Sequence, residues 1–242
     1  MNKTRIKKNF FKDENTEREK FLLEKYDLEN LKSNSTRQNY RENLYLIDIL
    51  DKYFSSHFTL HTSQKNPTTV RPFDHSTVLD IGCKNWSYAK AEYAFFKKHC
   101  ENLQLDGIEL DANRLYSNFF SRKEVAKFYA KGLENVNYIE GDFLEHNGEY
   151  DFIIWILPFI IENPLIKWGL PLMYFKPEQM LKKAYESMKE AGSMLILNQG
   201  KAEHEAQIKL CEELKIKYTT FGEVKSDFMH YNIERYLILI KK

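Results

Sequence analysis

Apolar residues in the first third of the chain return at intervals of three and four. Over residues 39–54 the set Tyr40, Leu44, Ile47, Leu50 (or Asp51) and Phe54 makes one stripe, the period of a helix that buries a single face against a neighbour. Residues 17–26 carry a weaker pattern of the same kind, and the rest of 1–35 reads as a mobile arm. The segment 62–69, TSQKNPTT, is a linker by composition. From Ser76 the texture changes, and short apolar runs alternate with helical stretches. Strands are expected at 78–81, 105–109, 136–140, 152–156 and 193–197, and helices at 88–100, 113–131, 176–189 and 202–214. Such alternation predicts a parallel sheet with right-handed crossovers and helices on both faces. Two last strands, 217–221 and 233–240, are joined by a connection too short for a parallel crossover, so they should pair antiparallel. Residues 1–75 therefore read as an N-terminal arm and helical extension, and 76–242 as an α/β domain.

Composition narrows the picture in three ways. A hydrophobic content of 43% with 14% aromatics supports a packed core rather than disorder. A formal charge of +1 argues against a nucleic-acid surface over the whole chain, and the basic run Lys3, Arg5, Lys7 and Lys8 reads as a solvated tail. Cys83, Cys100 and Cys211 form no CxxC pair, and His146, His204 and His230 lack ligand spacing, so no metal is assigned. The most apolar window, 152–161, is interrupted by Pro158 and is far short of the ~20 residues that span a bilayer. No secretory signal follows the basic N-terminus. The expectation is a soluble, cytoplasmic protein with no membrane partner.

The chemistry-bearing residues sit at strand ends. Val78-Leu79-Asp80-Ile81-Gly82 is an apolar run ending in an acid and a glycine, as a nucleoside-binding turn does. Lys84 and Trp86 stand where further glycines would be expected. Gly107-Ile108-Glu109-Leu110-Asp111 follows, and then Glu140-Gly141-Asp142-Phe143. A carboxylate such as Glu109 has two oxygens with which to meet two vicinal hydroxyl donors. Asp111 is expected to cap a helix beginning at 112–113.

In order and spacing, together with the terminal strand Arg235-Tyr236-Leu237-Ile238-Leu239-Ile240, these segments resemble the class I S-adenosylmethionine-dependent methyltransferases from Val78 to the C-terminus. The resemblance implies a Rossmann-like, seven-stranded, mostly parallel sheet with an antiparallel last strand and helices on both faces. It implies S-adenosyl-L-methionine as cofactor, with Asp80 and Gly82 in the first loop, Glu109 on the ribose, Asp142 on the adenine amino group and Phe143 beside the ring. Two readings of the altered loop stay open. Lys84 could offer its ammonium to the methionine carboxylate while Trp86 packs beneath the helix, or the two could occlude that end of the cofactor.

The family's methyl-transfer edge is Trp155-Ile156-Leu157-Pro158-Phe159 here, without the Asn/Asp-Pro-Pro-Tyr/Phe of methylases acting on nucleobase or glutamine nitrogens. The expected acceptor is therefore small or partly apolar, with a nucleic-acid or protein acceptor left open. Trp155, Pro158, Glu162 and Asn198 are the candidate substrate contacts. The apolar run 162–180 either lines an acceptor pocket or belongs to the core. No catalytic residue is assigned, because a sulfonium already carries its leaving group and the protein need only orient the reactants. The alternative function is a non-catalytic, methyltransferase-like binding or scaffold protein whose helical N-terminal region is the interaction surface. A nicotinamide-dependent oxidoreductase fits less well, given the missing glycines and the terminal hairpin. Oligomeric state is left open.

Overall fold

The computed structural model describes residues 16–33, 35–55 and 73–242. The linker 62–69 and the basic run at 3–8 lie outside them. Seven strands, β1 (Phe73–Ile81), β2 (Cys100–Glu109), β3 (Val136–Glu140), β4 (Tyr150–Ile156), β5 (Met188–Gln199), β6 (Tyr218–Val224) and β7 (Arg235–Lys241), form one sheet in the order β3-β2-β1-β4-β5-β7-β6. β1 pairs parallel with β2 and β4, β2 with β3, and β4 with β5. β7 runs antiparallel to both its neighbours, β5 and β6. The final hairpin is thus the pair that its short connection requires.

The strands read as unbroken apolar runs because both sheet faces are covered. Alternate residues go to opposite sides. Val78, Ile154, Leu195 and Leu237 pack on one face, while Leu79, Ile153, Ile196 and Ile238 pack on the other. On the first face lie α1 (Thr16–Lys25), α2 (Arg37–Tyr53), α3 (Ala89–His99) and α4 (Arg122–Tyr129); α6 (Pro177–Glu186) and α7 (Gly200–Glu213) cover the second. The short α5 (Glu162–Trp168) stands between β4 and α6 in the chain.

The α2 stripe is buried as its spacing predicts, with Leu44, Ile47, Leu50 and Phe54 all within 1% of full burial. The Phe54 ring meets Phe95 of α3 and Phe152 of β4 at 6.1 and 5.8 Å. Thr36 caps this helix, its side chain accepting from the Asn39 N–H. Leu50, not Asp51, carries the stripe. Asp51 flanks it and holds α1 in place, accepting from Arg18 at 2.8 Å and from the Tyr26 hydroxyl at 2.6 Å.

One helix is shorter than the pattern suggests. Residues 113–121 form a turn closed by a Leu115–Ser121 bridge, and α4 begins only at Arg122. Ser121 and Glu124 make a reciprocal capping box there, which starts the helix afresh. Asp111 caps nothing; it binds Arg114 at 2.6 Å and Arg122 at 3.2 Å. Among the described residues no helix is long and apolar enough to cross a membrane.

Candidate functional site

A cleft of about 810 Å³ opens along the carboxyl ends of β1, β2, β3, β4 and β5, the edge at which open α/β sheets bind ligands. A smaller cavity, about 410 Å³, lies between the segment 26–31 that follows α1 and the helix α3, away from that edge. Of the residues singled out in the sequence, Gly82, Lys84, Glu109, Asp142, Phe143, Trp155 and Pro158 line the cleft.

Gly82 follows β1 with φ 71°, and a Cβ there would meet no atom within 4 Å, so this position leaves open space at the cleft wall. Its N–H donates to the Ile108 carbonyl at 2.8 Å, which locks the β1 loop to β2. Lys84 and Trp86 keep the left-handed turn with φ 56° and 49°, the conformation a glycine would supply freely. Trp86 is wholly buried and does not line the cleft. Its indole N–H donates to Glu92 Oε2 of α3 at 2.8 Å. The ring fills the space beside Gly107 of β2, where a Cβ would stand 2.9 Å from two of its atoms. Lys84 instead extends over the Trp168 ring, 4.9 Å from its centroid, and Arg122 lies 4.8 Å from the same centroid. Burial, with the Arg122 charge nearby, lowers the Lys84 pKa.

Glu109 is held from three directions. Its Oε2 accepts from the Lys84 N–H at 2.9 Å, and its Oε1 accepts from the Asp111 N–H at 2.8 Å and from Arg122 Nη1 at 3.4 Å. A carboxylate has about four lone-pair positions, so one on Oε2 is left for a ligand. Asp142 Oδ1 caps the short turn at 143–145 by accepting from the Leu144 N–H at 2.9 Å, and Oδ2 takes no hydrogen bond among the described residues. Phe143 packs into the second core layer with one side on the cleft.

Three singled-out residues lie elsewhere. Asp80 is buried beneath the β1 loop rather than in the cleft wall. Neither of its oxygens, nor Glu92 Oε1, meets a well-aligned donor among the described residues. Burial and the neighbouring Glu92 push Asp80 well above the usual carboxylate range, and burial pushes Glu92 up to about 8. Two facing carboxyls that cannot both ionise hold a proton between them, which gives these three oxygens one donor, and the Tyr88 hydroxyl and Trp86 indole also bear on Asp80. Glu162 is exposed at the start of α5. Asn198 is fully buried, on the opposite sheet face from Leu197 and Gln199, which do line the cleft.

The far half of the cleft holds residues that sequence reasoning passed over: Glu42 and Tyr45 of α2, Glu203 of α7, Tyr231 and Arg235. Arg235 had a readable signal. An antiparallel last strand begins at the carboxyl edge of the parallel ones, so its first side chain stands at the ligand edge.

Neither a family model nor a curated protein sequence matches the chain. Solved structures do. The pyocyanin biosynthetic protein PhzM superposes with a TM-score of 0.50 at 13% identity, over 83% of this chain and 55% of its own. The fold is that of the class I methyltransferases. TYW2 from P. horikoshii, solved in complex with MeSAdo, gives 0.45 at 12% identity over 70% of this chain and 58% of its own. The N-methyltransferase NodS from Bradyrhizobium japonicum gives 0.44 at 15% over 69% and 85%. The chain spans little more than half the length of PhzM and TYW2. Within this methyltransferase fold, the β1 loop makes its left-handed turn through Lys84 and Trp86.

Proposed function

We propose that the protein is an S-adenosylmethionine-dependent methyltransferase acting on a small or partly apolar acceptor. The observation that carries this reading is the convergence of Gly82, Glu109 and Gly141-Asp142-Phe143, from the ends of three adjacent strands, on one cleft. The residues fit the cofactor. Gly82 and Gly141 both have positive φ and no atom within 4 Å of an added Cβ, so the backbone lets a ligand approach closely. Glu109 Oε2 would accept from a ribose hydroxyl, Asp142 Oδ2 from the adenine amino group, and Phe143 would cover the ring. The Lys84 ammonium has no ion-pair partner among the described residues and would meet the methionine carboxylate. When bound, the cofactor supplies a methyl group on a sulfonium whose leaving group is already in place.

The rest of the cleft acts by position. Trp155, Leu157 and Pro158 wall the side next to the nucleoside half and keep water from it. Tyr45 and Glu42 of α2 close the opposite wall, so the N-terminal extension completes the site instead of merely flanking the domain. Three free, buried cysteines accord with a reducing, cytoplasmic location.

Thermal unfolding with added ligands tests the cofactor assignment. S-adenosylhomocysteine should raise the midpoint by several degrees, since ligand at ~100 times its Kd adds about 2.7 kcal/mol. NADH should leave it unchanged. A midpoint that moves with NADH alone would replace this assignment with a nicotinamide site.

A further inference from the structure

The far half of the cleft contains a buried cation that has no counter-ion among the described residues. Arg235 opens β7, and it pairs in register with Gln199 at the end of β5. It is 8% exposed and lines the cleft. Its Nη1 donates to the Ile233 carbonyl at 2.9 Å, and its guanidinium lies 4.2 Å from the Tyr231 ring centroid. Tyr45 meets Tyr231 edge-on at 5.1 Å, so the aromatic support is itself braced by α2. These contacts fix the guanidinium in place without neutralising it. No carboxylate among the described residues forms an ion pair with Arg235. Glu203 is the acid whose charge reaches it, but Glu203 Oε2 is engaged by the Gln199 N–H at 3.1 Å.

An unpaired guanidinium is expensive to take out of water, and its forked donors match a carboxylate. Burial accordingly lowers the Arg235 pKa. We infer that Arg235 binds a carboxylate carried by the methyl acceptor, which makes the substrate class a small, mostly apolar carboxylic acid. The word acceptor rests on the methyltransferase reading, while the anion site rests on Arg235 itself. A monoanion fits better than a phosphate dianion. Glu203 and Glu42 line the cleft with it, and of the other cations there, Lys84, Lys167 and Lys176, Lys84 is already assigned to the cofactor's carboxylate. The body of the ligand would lie along Tyr45, Leu46, Leu157 and Phe159.

Calorimetric titration of matched acids and amides tests this. The probes are benzoate, phenylacetate and 4-hydroxybenzoate against benzamide, phenylacetamide and 4-hydroxybenzamide, with and without saturating S-adenosylhomocysteine. At least one acid should bind tenfold or more tightly than its amide. Arg235→Gln should erase that preference and leave S-adenosylhomocysteine affinity unchanged. Arg235→Lys, which keeps the charge but loses the fork, should lie between the two, and it decides the matter if the glutamine variant does not fold. The inference is overturned if no acid outbinds its amide, or if the preference survives in both variants. It is overturned equally if Arg235→Gln weakens S-adenosylhomocysteine in place of the acids, because the guanidinium would then serve the cofactor. If S-adenosylhomocysteine fails to bind while the acid preference persists and depends on Arg235, the anion site stands and the methyltransferase reading falls.

Discussion

The Trp86 indole N–H donates to Glu92 Oε2 at 2.8 Å, so the largest residue of the altered loop is tied to α3 inside the core. This relationship bears on the Trp86 part of the altered loop at 78–86, where burial of the indole favours packing beneath the helix over occlusion. Trp86 does not enter the cleft, and the loop retains its left-handed turn through Lys84 and Trp86 themselves. The space for the indole comes from the neighbouring strand, at Gly107.

Gly107→Ala should therefore destabilise the fold by about 1–3 kcal/mol, the usual cost of overpacking. An added Cβ would stand 2.9 Å from both the Trp86 ring and Cys83 Sγ. Trp86→Phe removes the two ring atoms concerned, so the double variant should recover part of the loss. Denaturant unfolding of the two single variants and the double should reveal a coupling of at least ~0.5 kcal/mol; strict additivity would show that the ring does not sit there.

The buried Asp80–Glu92 pair gives stability a pH dependence of definite sign. Burial raises Glu92 from 4.5 to about 8, so the folded state holds a proton that the unfolded state has released. The contribution is complete below about pH 4.5 and is lost as pH rises toward 8. Glu92→Gln keeps an acceptor for Trp86 and a donor for Asp80 without a titrating group. Its unfolding midpoint should fall less over that window than the wild type's, and parallel curves would contradict the shared proton.

Asp142→Ala should weaken S-adenosylhomocysteine roughly tenfold, the size of one charge-assisted hydrogen bond. It should also cost about 1 kcal/mol of stability through the lost cap on Leu144. Equilibrium binding and unfolding, measured on the same preparation, separate the two effects. A stability loss with unchanged affinity would confine Asp142 to its capping role.

Tyr45 presents a simpler case. Its hydroxyl is buried and has no hydrogen-bond partner among the described residues. Tyr45→Phe should leave stability unchanged or raise it by about 1 kcal/mol, because an unsatisfied polar atom is removed with little change in packing. A loss of 1 kcal/mol or more in denaturant unfolding would reveal a partner for that hydroxyl.

Much of this architecture is legible in the sequence. The α2 stripe, the strand sequence and the terminal hairpin follow from periodicity and connection length alone. The three strand-end motifs meet in one cleft because the parallel order of β1, β2 and β3 brings their carboxyl ends together. The misses have physical reasons. Leu115, Tyr116, Phe119 and Phe120 have the spacing of a helix face, but Asn113, Ser117 and Asn118 among them favour turns, and the Ser121–Glu124 box restarts the helix at 122. Asp80 belongs to the same motif as Gly82, yet strand alternation turns it under the loop. Asn198 and Gln199 are adjacent in sequence and face opposite sides of the sheet. Glu42, Tyr45 and Glu203 come from helices distant in the chain from the strand-end motifs, and only tertiary packing brings them to the cleft.

Calorimetric titration of the wild-type protein with S-adenosylmethionine tests the central claim most directly. The account predicts one site per chain with a Kd between about 1 μM and 1 mM, the range of ordinary enzyme–substrate affinities, and a marked loss of affinity in Glu109→Ala. No heat and no competition by S-adenosylhomocysteine at millimolar concentration would contradict it.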